Sequence, residues 1–227
     1  MSTQQVIGNY ICNYGIIPST RTGGDAVEVF KISADFYGLY LLDLSGHGQV
    51  ISNIVMQIKE LIIQLANAEQ KSHFAINPQK LMQQLNNYLY SNKLGKYLTL
   101  LYGVLDLKNN CFNYSVAGHY PNPILLNNKG YTKYLFSKGV PLGILKNAIF
   151  EKFSIPISVN DAIILFSDGI VKFFMPESDI EDRTNDLLEL ISQTQAEYSN
   201  LLQRLNLQTT SSNIIDDIII TIIKRQQ

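Results

Sequence analysis

Residues 37–50 read YGLYLLDLSGHGQV, an apolar run that ends on Asp43 and passes into a glycine-rich turn. This run and AVEVFKI at 26–32 are short and rich in β-branched, aromatic and leucine residues, which is typical of strands. The SADF between them predicts a hairpin connection. From Gln49 the apolar residues recur at spacings of three and four, which predicts an amphipathic helix. The stretch therefore predicts two adjacent strands followed by a helix, with a carboxylate at the end of the second strand.

The rest of the chain repeats short strand patterns. Asn77-Pro78 predicts the start of a second helix, and apolar residues between 187 and 205 predict one long helix or a helical hairpin. Further strands are predicted at KYLTLLYGVLD (96–106), CFNYSVA (111–117), NPILLN (122–127), AIFEKFSI (148–155), DAIILFSD (161–168) and DIIITIIKR (217–225). Many short strands with hairpin-length links favour antiparallel pairing. We therefore predict an α+β fold, an αββα sandwich of two mainly antiparallel sheets flanked by helices.

Composition limits the classes of function. The 227 residues are 46% hydrophobic and 16% charged, which suits a single domain spanning residues 1–227 with a sizeable core. Eighteen basic and nineteen acidic residues, without a Lys/Arg cluster, predict no nucleic-acid partner. No apolar run approaches the roughly 18 residues of a membrane span, so no membrane association is expected. Two cysteines and no signal-peptide pattern favour a cytoplasmic location.

Acidic residues recur at strand ends. Asp43 and Asp168 each end an apolar run just before or near a glycine, Asp25 opens a strand, and Asp216 and Asp217 open the last one. Antiparallel pairing can bring such strand starts and strand ends to one rim. Clustered carboxylates repel one another, and a divalent cation compensates them. Hard oxygen ligands without a thiolate favour Mg²⁺ or Mn²⁺ over Zn²⁺.

Each of these residues also has a simpler interpretation. A single Asp-Gly after a strand is more often only a turn, and it is the recurrence that indicates a site. The backbone carbonyl of Leu44, beside the glycine turn, is a candidate ligand. His47 is either a proton carrier or a structural hydrogen-bond partner of its turn.

Six motifs in order carry a family resemblance. They are GGD (23–25), DLSGHG (43–48), AGHYPNPILL (117–126), GVPLGIL (139–145), FSDGI (166–170) and DDIIITII (216–223). With these motifs the chain resembles the metal-dependent serine/threonine phosphatases of the protein-phosphatase-2C (PPM) type. The likeness is to their bacterial sporulation and stress-response branch, the SpoIIE/RsbU-like proteins, and it covers nearly the whole chain.

The resemblance implies a binuclear site with two Mn²⁺ or Mg²⁺ ions and a metal-activated water that attacks a phosphoserine or phosphothreonine. By this likeness Asp43 bridges both ions, and Asp25 and the Leu44 backbone serve one of them. Asp168 and Asp216 serve the other ion. Asp43, Asp168 and His47 are thereby the candidate catalytic residues.

The chain also departs from the family pattern. Glu28 stands where an Asp is usual, Lys172 where a Glu is frequent, and Ile219 where a Thr is common. The resemblance places all three beside the site, which bears on metal affinity and substrate preference. Arg21 is a candidate to hold a substrate phosphate oxygen, or else it is a solvated loop arginine.

The leading hypothesis is a phosphatase that acts on a phosphorylated regulatory protein. By resemblance, that partner is similar to an anti-sigma-factor antagonist or another switch protein. A non-catalytic phosphoprotein-binding pseudophosphatase and a hydrolase of small phosphoesters are the alternatives. Retention of all four acids argues against the pseudophosphatase.

Overall fold

The structure is a computed structural model that describes residues 2–19, 23–46, 48–70, 77–93, 96–173, 180–207 and 214–227. For 68–70 and 180–183 only the backbone is described. Contacts divide the chain into two compact units. The first unit comprises Met1–Arg21, Tyr120–Phe136 and Ile157–Gln227, and the second comprises Thr22–His119 and Ser137–Pro156.

The described residues form eleven strands and five helices. The strands are β1 (Ser2–Ile7), β2 (Tyr10–Ile17), β3 (Asp25–Lys31), β4 (Phe36–Leu44), β5 (Leu98–Asp106), β6 (Cys111–Ala117), β7 (Ile124–Leu126), β8 (Thr132–Tyr134), β9 (Phe153–Pro156), β10 (Ala162–Phe166) and β11 (Ile218–Arg225). The helices are α1 (Gln49–Gln70), α2 (Pro78–Asn92), α3 (Gly169–Phe173), α4 (Ile180–Thr194) and α5 (Tyr198–Arg204).

The first unit is a six-stranded antiparallel sheet with three helices. Its strand order is β1-β2-β11-β10-β7-β8. Alternate residues of β11, namely Ile218, Ile220 and Ile222, share an apolar core with Leu187 and Ile191 of α4. Side chains two residues apart on a strand lie on one face, so the helices pack against a single apolar face of the sheet.

The second unit is a five-stranded antiparallel sheet with two helices. Its order is β3-β4-β5-β6-β9. Tyr40 and Leu42 of β4 pack in one core with Ile58 of α1 and Leu85 of α2. Asn77 caps α2, because its side-chain oxygen accepts the Gln79 N–H at 3.1 Å, and Pro78 occupies the first turn.

Most sequence predictions of elements are confirmed, and one strand prediction is largely wrong. The strand predicted at 148–155 begins only at Phe153, as the short strand β9 (Phe153–Pro156). β9 pairs with β6 no farther than Tyr114. Beyond that point the backbone near Gly139 approaches β6 so closely that a Cβ on this glycine would be 2.0 Å from the Val116 carbonyl oxygen. That segment covers the edge that a longer β9 would need.

Several elements were not predicted. They are β1, β2, β8 and the short helix α3. The helical segment near the C-terminus is two helices, α4 and α5, separated at Gln195 and Ala196, which both have positive φ. Two antiparallel sheets with helices confirm the predicted α+β class. Within the described ranges, no helix combines the length and apolarity that crossing a bilayer requires.

Candidate metal centre

Asp25 and Asp43 are brought together in the second unit. Asp25 begins β3 and pairs directly with Asp43 near the end of β4. Directly opposed residues have Cβ atoms about 5 Å apart and point to the same face of the sheet. Strand alternation puts both carboxylates on the face opposite to Leu42 and the helices, and both are half-buried. Two carboxylates at this spacing can share a cation.

A glycine makes the end of this strand pair possible. The Leu44 N–H donates to the Gly24 carbonyl at 3.1 Å, and a Cβ on Gly24 would be 2.1 Å from the Leu44 carbonyl oxygen. No side chain fits at that distance, so glycine is required beside Asp25. The Leu44 side chain is buried in the helix-side core. Its carbonyl as a ligand stays a prediction.

Asp168 and Asp216 are brought together in the first unit, where a lysine bridges them. The Lys172 Nζ atom lies 2.7 Å from Asp168 Oδ2 and 2.5 Å from Asp216 Oδ2. Both are charge-assisted contacts. The two carboxylates therefore face one position that a positively charged group occupies.

Short-range backbone geometry places Lys172 there. The first turn of α3 begins directly after Asp168, and the Lys172 N–H donates to the Asp168 carbonyl at 3.2 Å. Residues four apart on a helix share a face, so the lysine side chain returns to Asp168. A Cβ on Gly169 would be 2.1 Å from the Asp217 carbonyl oxygen. Here the absence of a side chain on the glycine lets α3 approach the start of β11.

The buried Ser167 hydrogen-bonds the residues at the start of β11. Its Oγ donates to the Asp217 carbonyl at 3.0 Å and accepts the Ile219 N–H at 2.8 Å. The Ser167 N–H donates to the Ile219 carbonyl at 3.2 Å. Ser167 is buried, so these bonds are shielded from water. They fix the ends of β10 and β11 that present Asp168 and Asp216.

Asp217 has a different environment from its neighbour. Its Oδ1 accepts from the Ser19 N–H at 2.7 Å and from the Ser19 hydroxyl at 2.9 Å, and Asp217 is buried. Asp216 Oδ1 accepts the Asp217 N–H at 2.9 Å, while its Oδ2 faces Lys172. Asp217 thus anchors a loop, and Asp216 faces the cation position.

The charges around Lys172 affect its pKa. Burial alone lowers the pKa of this ammonium group, but hydrogen bonds and attraction from Asp168 and Asp216 outweigh burial and raise it above its ordinary value. Lys172 is therefore a cation throughout the physiological range.

The donor set fits hard divalent cations. Each unit contains a pair of carboxylates, and carboxylate oxygen atoms are ligands that Mg²⁺ and Mn²⁺ prefer. Within the described part of the chain, no three His, Cys, Asp or Glu side chains group closely enough to hold a metal ion. One binuclear site made from both pairs stays a prediction.

Two predicted site residues, Arg21 and His47, lie outside the described residues. Glu28 does not lie beside Asp25 and Asp43. It lies on the helix-bearing face, where its Oε2 accepts the Tyr40 hydroxyl at 2.7 Å and lies 3.6 Å from Lys59 Nζ. A shift of three positions along a strand reverses the face, which explains the difference. Ile219 is buried within β11.

Sequence reasoning missed the contacts of Lys172, Ser167 and Ser19. The position of Lys172, four residues after Asp168, was a usable signal, but it required recognising α3 as a helix. The contacts of Ser19 and Ser167 with the Asp217 region join residues 198 and 50 positions apart. No local pattern reports contacts at such separations.

Comparison with known proteins now identifies the family. The family model described as "Stage II sporulation protein E (SpoIIE)" matches residues 33–226. The chain belongs to the SpoIIE family. This confirms the resemblance that the six motifs indicated.

Named members and structures agree with this family. Phosphoserine phosphatase RsbU of Bacillus subtilis (strain 168) is 23% identical over 217 residues, which cover 92% of this chain and 62% of RsbU. The chain spans less than two thirds of the length of the curated relatives it matches.

Two solved structures show the fold. One contains the PP2C phosphatase domain of SpoIIE from Bacillus subtilis with a fragment of its regulatory domain, at a TM-score of 0.75 and 17% identity, covering 96% of this chain and 64% of that one. The other is RsbX in complex with magnesium, at a TM-score of 0.71 and 15% identity, covering 100% of both chains. These likenesses support the α+β fold of the SpoIIE family.

Proposed function

We propose that this chain is a metal-dependent protein phosphatase that hydrolyses phosphoserine or phosphothreonine on a regulatory partner protein. The observation that carries the proposal is the presence of two carboxylate pairs near strand ends, Asp25 with Asp43 and Asp168 with Asp216. They occur in a chain of the SpoIIE family. RsbU, a relative over 92% of this chain, is named a phosphoserine phosphatase. The magnesium in the RsbX complex supports a divalent cation for this fold.

The chain's own residues have distinct tasks in this proposal. Asp43 and Asp25 hold one cation position, and Asp168 and Asp216 orient a positive charge at the other. Bound Mn²⁺ or Mg²⁺, two ions by the family pattern, supplies electrophilic stabilisation of the phosphoryl oxygens and lowers the pKa of water. His47 is proposed to carry a proton, and Arg21 to hold a phosphate oxygen. The close approaches at Gly24 and Gly169 keep the carboxylates in place.

Further parts of the proposal concern organisation and setting. We take residues 1–227 as one phosphatase domain, because the two units are interleaved in sequence and neither is a continuous segment. A cytoplasmic location suits Cys12 and Cys111, which are both free, with burial raising the pKa of Cys12 to about 12. By the family resemblance of the six motifs, the proposed partner is a phosphorylated switch protein such as an anti-sigma-factor antagonist.

A non-catalytic phosphoprotein-binding module is the second candidate. The observation that favours it is the Lys172 ammonium between Asp168 and Asp216, a positive charge held by the chain itself. An ammonium group in place of an ion supplies no metal-activated water, so such a chain would bind a phosphoprotein without turning it over.

One comparison of substrates tests these functions. Phosphate release is measured with Mn²⁺ on phosphoserine and phosphothreonine peptides and on an aryl phosphate, and peptide binding is measured in parallel. We expect faster release from the peptides. Preference for the aryl phosphate would instead indicate a small-phosphoester hydrolase, and peptide binding without release would indicate the non-catalytic module.

A further inference from the structure

Lys172 occupies the position at which Asp168 and Asp216 present their carboxylates. Its ammonium nitrogen lies within 2.7 Å of an oxygen of each acid. The contact is made by the first turn of α3, which starts directly after Asp168, so it is part of the fold of the first unit.

The described contacts of the neighbouring acids limit which oxygen atoms can face a cation. Asp216 Oδ1 accepts the Asp217 N–H, which leaves Oδ2 to face Lys172. Asp217 cannot replace either acid, because Ser19 holds its carboxylate elsewhere. Lys172 therefore contacts the Asp216 oxygen that is not bonded to the backbone, together with Oδ2 of Asp168.

A divalent ion and the ammonium group compete for this position. An ion ligated by these same oxygen atoms at about 2.1 Å lies within roughly 5 Å of the nitrogen, whichever side it enters from. Like charges at that separation repel strongly in a partly buried site. The Lys172 side chain is 46% exposed, so it can leave toward solvent when an ion enters.

We propose that Lys172 is an internal cation that fills the Asp168–Asp216 position, and that Mn²⁺ or Mg²⁺ binds there only by displacing it. This deepens the proposed function and rests on it only for its role in catalysis. Lys172 is a positioning residue: it holds the two acids together without an ion, and it weakens binding of the ion at this position.

Direct measurement of Mn²⁺ binding tests this inference without any activity assay. The free Mn²⁺ signal in electron paramagnetic resonance is titrated with the full chain as wild type and as Lys172→Met, which keeps the length of the side chain and removes its charge. Lys224→Met is the matched control, because Lys224 pairs with Glu197 in the same unit and away from these acids. Lys172→Gln is a second neutral variant in case the first does not fold.

The inference predicts one class of Mn²⁺ site that binds at least about 10-fold more tightly in the neutral variants than in wild type, since one repelling charge is removed. Lys224→Met should match wild type. Adding Asp216→Asn to Lys172→Met should remove the gain, which assigns it to this position. Equal Mn²⁺ binding by wild type and a folded neutral variant would overturn the inference.

The outcome separates this inference from the proposed function. Tighter Mn²⁺ binding without phosphopeptide hydrolysis by any of the proteins would support the internal cation and reject the phosphatase. Phosphopeptide hydrolysis with equal Mn²⁺ binding by wild type and the neutral Lys172 variants would support the phosphatase and reject the internal cation.

Discussion

Asp216 and Asp217 are adjacent in sequence and have separate environments. Asp216 faces Lys172 and Asp168, whereas Asp217 is buried against Ser19. We expect Asp216→Asn to lower phosphopeptide turnover by about 100-fold at saturating Mn²⁺, the loss typical of removing one electrostatic group at a reacting centre. The neutral amide of Asn at position 216 attracts a cation less strongly than the carboxylate does, whether that cation is a metal ion or the Lys172 ammonium group.

Asp217→Asn is the matched variant for this prediction. Its amide oxygen can still accept from Ser19, so we expect far less effect on turnover and a loss of about 1 kcal/mol in the free energy of unfolding. Turnover is measured after circular dichroism confirms that both variants are folded. If Asp217→Asn is the inactive protein, the assignment of the two acids is reversed.

The site residues differ in how far the sequence could predict them. The strand-end positions of Asp25, Asp43 and Asp168 follow from apolar runs that begin or end at a carboxylate, which is a local pattern. The family resemblance assigned Asp216 and not Asp217 to a cation position, but it did not predict that Ser19 binds the Asp217 carboxylate. The bridging by Lys172 and the reversed face of Glu28 depend on α3 and on strand phase, which the sequence pattern alone did not fix.

The junction of β10 and β11 depends on the buried hydroxyl of Ser167. Its Oγ donates to the carbonyl of Asp217, just before β11, and accepts from the N–H of Ile219 within β11. Ser167→Ala leaves a buried N–H and a buried carbonyl without this partner, so we expect a loss of about 1–3 kcal/mol in the free energy of unfolding by urea.

Ser115→Ala is the control for Ser167→Ala. Ser115 is equally buried, but its hydroxyl has no hydrogen-bond partner in the described part of the chain. Removing it is expected to change the free energy of unfolding by less than about 0.5 kcal/mol, or to raise it. Equal losses for the two variants would show that packing, and not the Ser167 bonds, stabilises this junction.

Elements with strong local signals were predicted more accurately than edge elements. The helices α1 and α2 have clear apolar periodicity, and the β3–β4 hairpin has a recognisable turn. β1 has polar, exposed residues at the edge of its sheet, and β8 has only three residues, so neither has an apolar pattern to detect. β9 is shorter than predicted because the segment near Gly139 covers its partner edge.

The two sheets and their helices give this chain the fold of the SpoIIE family, and each unit contributes one carboxylate pair. The class of fold followed from the number of short strands and the placement of helical segments. The interleaving of the units in sequence could not be predicted, because it depends on the order in which strands pair and not on any local pattern.

The proposed activity is metal-dependent hydrolysis of a phosphoprotein at the carboxylate pairs. It is tested by phosphate release from a phosphoserine peptide, first in excess chelator and then after Mn²⁺ is restored. Wild type is compared with Asp43→Asn and with Asp35→Asn, whose exposed carboxylate lies in the loop at the other end of the same hairpin.

We predict that wild type and Asp35→Asn lose activity in chelator and regain it with Mn²⁺. We expect Asp43→Asn to stay at least about 100-fold slower with Mn²⁺ present. Full activity of wild type in excess chelator, or wild-type rates in a folded Asp43→Asn protein, would rule out metal-dependent hydrolysis at this site.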